Sequence, residues 1–144
     1  MKKILITGAH SYIGTSVADY LARWPEKYAV DTLSVRGEKW KQADFSGYDA
    51  VVHVAGIAHA DMGHVSEERK AEYYAVNRDL TLAVAEKAKA DGVGQFLYMS
   101  SAIVYGDSAS IGKRKVITKD TPVAPANFYG DSKVQAEKGL KKLE

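Results

Sequence analysis

The chain has 144 residues, 46% of them hydrophobic, which is the size of one ordinary domain with enough apolar material to bury a core. It contains no cysteine, which excludes disulfide frameworks, thiolate metal sites and cysteine nucleophiles and matches the composition expected in a reducing cytoplasm. With 20 basic and 18 acidic side chains the net charge is only +2, too weak a field to favour nucleic acid, and no run approaches the roughly 20 apolar residues of a membrane span.

Lys3–Thr7 is the first of four short segments rich in β-branched residues, the others being Ala29–Val35, Ala50–Val54 and Phe96–Ser100. Helical stretches separate them. Ile13–Arg23 carries Val17 and Leu21 at helical spacing and meets Pro25 just past its end. Ser66 stands where it caps a long helix, with Glu67 and Glu68 in the first turn, Tyr73, Val76, Leu80 and Val84 on one face, and Asp91-Gly92 as the stop. A last helix begins near Tyr129. Strand and helix in alternation require right-handed crossovers, so the expected fold is α/β: a Rossmann-type doubly wound parallel sheet with helices on both faces. Gly106 to Asn127 is long for a structureless connection, and such loops are usually functional. No glycine, proline or polar stop follows Lys141-Lys142-Leu143-Glu144, so residues 1–144 are expected to be a truncated dinucleotide-binding domain without its C-terminal substrate portion. The sheet edge left past the last helix invites pairing between chains, which makes a homodimer an expected state.

Thr7-Gly8-Ala9-His10-Ser11-Tyr12-Ile13-Gly14 falls where the first strand turns into the first helix. Gly8 permits the tight turn, Gly14 lets the helix pack on the sheet, and free N–H groups at the helix start can hold a pyrophosphate. Ser11 occupies the middle position, where a glycine usually lets backbone approach the phosphates. The turn predicts NAD or NADP as cofactor, held by Gly8, His10, Ser11, Tyr12, Ile13 and Gly14. At the end of the second strand a free ribose 2′-hydroxyl normally meets an acid, whereas a 2′-phosphate needs a base. Ser34 stands in the acid's place and Arg36 follows, with His10 facing the same region, which tilts the expectation towards NADP.

Tyr129-Gly-Asp-Ser-Lys133 puts a phenol and an ammonium four residues apart, on one face of a helix. A tyrosine pKa of about 10 requires roughly 3 units, or about 4 kcal/mol, of phenolate stabilisation for chemistry at neutral pH, which Lys133 and a positive nicotinamide ring can supply. Ser101 arrives on the carboxyl end of the fourth strand, where ligands bind in doubly wound sheets. Val54, Ala55 and Gly56 end the third strand with small residues against which a cofactor can lie. His53 reads as a core histidine, and His53, His59 and His64 make no recognisable metal spacing, so no metal is expected.

These segments, in order, resemble the extended short-chain dehydrogenase/reductase family, and within it the nucleotide-sugar epimerases of the UDP-glucose 4-epimerase kind. The resemblance covers essentially the whole chain: Thr7-Gly8…Gly14, Ala43-Asp44-Phe45, His53-Val54-Ala55-Gly56, Asn77, Ser101-Ala-Ile-Val-Tyr105-Gly106 and Tyr129…Lys133. It implies that Asp44 and Phe45 contact the adenine, Ala55 and Gly56 the middle of the cofactor, Asn77 the floor of the site and Ser101 the substrate. It further implies that Tyr129 exchanges the proton and Lys133 holds the nicotinamide ribose. Dehydratases of this family carry Asp-Glu after the catalytic hydroxyl residue, whereas this chain has Ala102-Ile103. Epimerisation of a nucleotide-diphosphate sugar, or NADPH-dependent keto reduction of one, is therefore expected. A dinucleotide sensor without chemistry is the rival, and it leaves Ser101, Tyr129 and Lys133 unexplained.

Overall fold

Four parallel strands, β1 (Lys2–Thr7), β2 (Tyr28–Leu33), β3 (Ala50–His53) and β4 (Gln95–Tyr98), pair in the order β2-β1-β3-β4. The computed structural model describes residues 1–8, 10–58, 65–106, 109–110 and 112–144. From β1 the chain moves outward to β2 through helix α1 (Tyr12–Leu21), then crosses back to β3 on the other side of β1. This reversal puts a topological switch point between the carboxyl ends of β1 and β3, where open α/β sheets bind ligands. Because the β1-to-β2 and β3-to-β4 connections run in opposite directions, right-handed crossovers place their helices on opposite faces, as a doubly wound sheet requires.

Register explains the layers. Leu5 lies beside Val51, and Val51 beside Phe96, so these side chains share one face; they pack with Val84 and Ala88 of helix α3 (Thr81–Ala90) around buried Trp40 and Phe45. Ile6, Val52 and Leu97 share the opposite face. Helix α1 contacts β1 and β2, and Leu97 and Met99 on β4 and its extension remain exposed. The last helix, α4 (Phe128–Leu140), packs beside α3 so closely that a Cβ on Gly139 would lie 2.5 Å from Leu82 Cδ2.

Three strands stop short of the expected ends, β3 by the single residue Val54. Once β1 ends at Thr7, the Leu33 carbonyl is taken by Gly8 N–H at 3.1 Å, leaving Ser34 and Val35 beyond β2. Similarly, Tyr98 is the last residue of β4 to face one of β3, and the Met99 carbonyl accepts the Lys133 ammonium. The expected long helix after Ser66 is present but not uniform: α2 (Glu67–Tyr74) and α3 are joined by a π-helical segment, Ala75–Leu80. Ser66 caps it as expected, its Oγ accepting from Arg69 N–H at 3.2 Å. Such segments concentrate at functional sites, and this one contains Asn77.

Candidate functional site

The turn after β1 is built around two glycines that no other residue replaces without strain. Gly8 adopts φ +101°, and a Cβ there would lie 2.9 Å from the Ala55 backbone nitrogen. At Gly14 a Cβ would lie 2.7 Å from the Gly8 carbonyl oxygen and 3.1 Å from Val54 Cγ2, so the start of α1 sits directly on the ends of β1 and β3. Ser11 has a role beyond being small. With φ −82° and ψ 150° it is the N-cap of α1, and its Oγ accepts from Gly14 N–H at 2.9 Å. The first-turn amides were expected to be free for phosphate; Ser11 claims the one on Gly14, and Ser11 N–H itself goes to the Gly8 carbonyl at 2.9 Å. Ser11→Ala should therefore lower stability by about 1 kcal/mol in urea unfolding, the usual value of an N-cap, and an unchanged midpoint would contradict the capping role.

A cavity of about 630 Å³ opens over the switch point. Gly8, His10 and Ser11 line it from the turn, Ser34, Arg36 and Glu38 from the end of β2, Val54, Ala55, Gly56 and Ile57 from the end of β3, and Ala75, Val76 and Leu80 from the π-helical segment. His10, Ser34 and Arg36 thus meet as expected. Glu38 was not anticipated there, and it pairs with Lys41. The side chain of Tyr12 is 87% exposed, and neither it nor Ile13 lines the cavity. Asp44 and Phe45 are likewise outside its lining. Asp44 accepts from Ser46 N–H at 2.8 Å, while Phe45 is fully buried with Lys87 Nζ 4.9 Å from its ring centroid.

Gly56 joins this cavity to a second cluster. A Cβ at Gly56 would meet Asn77 Oδ1 at 3.1 Å and Lys133 Nζ at 3.2 Å. Asn77 is fully buried: its Oδ1 accepts from Ile57 N–H at 2.8 Å, and its Nδ2 donates to the Ile57 carbonyl at 3.0 Å and to Ser132 Oγ at 3.1 Å. Ser132 in turn donates to the Tyr129 carbonyl at 2.7 Å, so a single line of polar contacts runs from Gly56's neighbour to the first turn of α4. Helix α4 is capped by Asn127, whose Oδ1 accepts from Gly130 N–H at 2.9 Å, and its helical spacing sets Tyr129 and Lys133 one turn apart. The Tyr129 ring stands edge-on to buried Tyr73, 5.9 Å between centroids. Lys133 is buried, its Nζ donating to the Met99 carbonyl at 3.1 Å and lying 4.9 Å from the Tyr98 ring centroid. Burial pulls its ammonium down to about 8, against the opposing pull of the Glu137 carboxylate. Ser101 caps a 3₁₀ turn, Ala102–Tyr105, and its Oγ accepts from Ile103 N–H at 3.3 Å.

His53 is the core histidine that its position suggested. It is fully buried between Thr7 Oγ1, 2.7 Å from Nδ1, and Thr81 Oγ1, 3.1 Å from Nε2. Thr81 gives its own proton to the Asn77 carbonyl at 2.9 Å, so Nε2 of His53 carries the proton donated to Thr81 and Nδ1 accepts from Thr7. Burial, then the Lys133 charge, pull its pKa down to about 3, and the ring is neutral. His59 and His64 lie outside the described residues, as do Asp107, Ser108 and Ile111 of the long loop.

Residues 4–144 match the family model described as "NAD dependent epimerase/dehydratase family". The chain belongs to that family. It is 32% identical over 158 residues to the UDP-glucose 4-epimerase of Vibrio cholerae, an alignment covering 96% of this chain and 46% of that protein. The chain thus spans about half the length of the curated relatives it matches. In fold it is similar to RMD from Pseudomonas aeruginosa complexed with NADPH, with TM-score 0.70, 27% identity, and coverage of 96% of this chain and 48% of that one. It also has the fold of UDP-glucuronic acid 4-epimerase from Bacillus cereus in complex with NAD, with TM-score 0.75, 21% identity, and coverage of 97% and 52%. Within this epimerase/dehydratase family fold, Ser132, Thr81 and Glu137 join the polar cluster behind Gly56, as Glu38 joins the cavity, without having been singled out from the sequence. Ser132 and Thr81 are small hydroxyls inside helices with no periodic signal; Glu137, four residues beyond Lys133, was detectable from its spacing alone. Among the described residues no helix is long and apolar enough to cross a membrane.

Proposed function

We propose that residues 1–144 are the dinucleotide-binding part of an enzyme that transfers hydride to and from a sugar carbon of a nucleotide-activated hexose, with epimerisation, of the 4-epimerase kind, as the net outcome. The observation that carries this is the junction at Gly56, where the cavity wall is one missing Cβ thick and Asn77 and Lys133 Nζ stand immediately behind it. A nicotinamide dinucleotide fits this cradle: Gly8 and Gly14 let the turn and helix start pack against the ends of β1 and β3, and among the described residues the first-turn amides of Tyr12 and Ile13, unlike that of Gly14, are not taken by the Ser11 cap. When bound, that group supplies the hydride donor and acceptor. The chain's own residues do the rest. Lys133 holds the ribose, Tyr129 Oη takes and returns the sugar hydroxyl proton, and Ser101 Oγ orients that hydroxyl. Asp44 and Phe45 would touch an adenine only through backbone or rim contacts, given where their side chains lie.

The family relationship at 32% identity to a UDP-glucose 4-epimerase supports the sugar-nucleotide reading, and Ala102-Ile103 in place of an acidic pair disfavours dehydration. A second reading, NADPH-dependent reduction of a keto sugar, is favoured by one observation: Ser34 and Arg36 line the cavity past the end of β2, where an acid for the ribose would stand, and the acid that follows them there, Glu38, is engaged by Lys41. Calorimetric titration separates the two. If the 2′-phosphate is recognised, NADP binds more tightly than NAD and Arg36→Ala removes most of the difference, because a charge-assisted bond to that phosphate has no counterpart in NAD. Equal or tighter binding of NAD by the unaltered protein overturns the NADP assignment and strengthens the epimerase reading. Conversion of UDP-galactose to UDP-glucose by the full-length protein, followed by NMR, tests the reaction itself; residues 1–144 alone should bind dinucleotide and turn over little, since the groups that place the sugar would be incomplete.

A further inference from the structure

Lys133 and Glu137 lie one turn apart on α4 and engage consecutive residues at the end of β4. Lys133 Nζ donates to the Met99 carbonyl at 3.1 Å, and the Ser100 hydroxyl donates to Glu137 Oε1 in a short hydrogen bond. The next residue is Ser101. Two bonds, one from each neighbouring residue, therefore fix the helix that carries Tyr129 and Lys133 against the strand end that delivers Ser101. The reaction proposed above uses neither Ser100 nor Glu137.

The charge balance around Lys133 gives this clamp a second consequence. Around Lys133 are His53 from β3 and Tyr98 from β4, with Asn77 as a neutral neighbour, and Tyr129 and Glu137 stand one turn before and after it on its own helix. His53 is held neutral by its burial, and burial followed by Glu137 raises the Tyr98 phenol well above its ordinary range, so neither offers a counter-charge. Glu137 is the carboxylate that acts on the ammonium. A lysine stripped of water loses its proton readily unless an anion stands nearby.

We propose that Glu137, anchored by the Ser100 hydroxyl, is a positioning residue that keeps Lys133 charged and aimed past Gly56 into the dinucleotide cavity. This rests on the reading of Lys133 as the group that holds the nicotinamide ribose. Lys133 acts on ligand directly, whereas Glu137 acts only through Lys133. The ammonium exists below its own pKa and is lost as pH rises through it, so removing Glu137 shifts that loss to lower pH. Binding that depends on the charge then fails at lower pH as well.

The test is an NMR titration of the protein with ¹³Cε-labelled lysine, the Lys133 resonance being identified by its absence in Lys133→Arg. Glu137→Gln can still accept the Ser100 hydroxyl but carries no charge, and it should lower the Lys133 midpoint by at least about half a unit. Glu137→Asp, which keeps the charge, should restore most of it. An unmoved midpoint in a folded Glu137→Gln protein overturns the proposal. If that variant does not fold, Ser100→Ala serves in its place: it removes the bond that fixes the Glu137 carboxylate, so the Lys133 midpoint should move, and an unmoved midpoint is again contradictory. Calorimetric titration with NAD and NADP between pH 6 and 9 is the second readout, and Glu137→Gln should lose affinity at lower pH than the unaltered protein. Failure of the unaltered protein to bind either nucleotide would refute the dinucleotide reading, while the Lys133 titration would still decide the link to Glu137.

Discussion

Tyr129→Phe, tested in a protein that carries any C-terminal part missing from residues 1–144, should on the proposed reading lower turnover by at least about a hundredfold, the usual loss when a positioned acid–base group is removed, with dinucleotide affinity nearly unchanged. The substitution deletes only Oη. The ring that stands edge-on to Tyr73 at 5.9 Å is kept, and the contact from Ser132 Oγ goes to the Tyr129 carbonyl, which phenylalanine also has. The fold therefore has no reason to change, and a loss of rate reports the proton. Lys133→Met should behave differently. It removes an ammonium that burial already pulls down to about 8, so stability should hold or rise at neutral pH, but both turnover and dinucleotide affinity should fall. Steady-state kinetics paired with calorimetry distinguishes the two variants. Unchanged turnover in Tyr129→Phe would remove the phenol from the chemistry.

Acid should destabilise the fold through His53. Its folded pKa of about 3 lies below the ordinary 6.5, so in this window the unfolded chain binds the proton more readily. The stability contributed by the neutral ring is fully present above pH 6.5 and is lost as the pH falls towards 3, by roughly 4 kcal/mol over the whole span. Physically, an imidazolium would keep its Nε2–H bond to Thr81 but gain an Nδ1–H donor opposite Thr7, whose hydroxyl would have to reverse its bond. The nearby Lys133 charge opposes it further. Carboxylates titrate in the same range, so the comparison with His53→Gln isolates the histidine. Urea midpoints at pH 7 and pH 4 should differ by far more in the unaltered protein than in the variant. An equal fall in both would show that His53 is not the group that links folding to pH.

Much of this could be read from the residues because the geometry forces the choice. Gly8 and Gly14 announced themselves because a strand must turn at once into a helix that sits on a neighbouring strand, and the structure leaves no space for a Cβ at either. His53 was recognisable as a core residue because it ends an apolar strand with no partner at ligand spacing. Asn77 was located, but the π-helical segment around it was not: hydrophobic spacing changes little when a single turn widens, and only its neighbours reveal the distortion. Ser11 was read as a reduced glycine and turned out to be a cap, since a residue at φ −82° needs no glycine and a serine there has a hydrogen bond to make. Strand ends were overrun at Ser34–Val35 and Met99–Ser100 because apolar or β-branched content says nothing of where the neighbouring strand stops. Glu137 drew no reading from the sequence, because only the path of the chain after β4 brings Ser100 to it.

Titration of residues 1–144 with NAD and NADP, alongside a Gly8→Val variant, tests the central claim most directly. A valine at position 8 would have to hold φ +101° and drive its side chain into the Ala55 backbone nitrogen, 2.9 Å from the Cβ position, closing the cradle where the phosphates would lie. The account predicts one-to-one binding of at least one nucleotide by the unaltered chain and its loss in Gly8→Val. A folded, unaltered protein that binds neither, or a folded Gly8→Val protein that binds as well as the original, would contradict it.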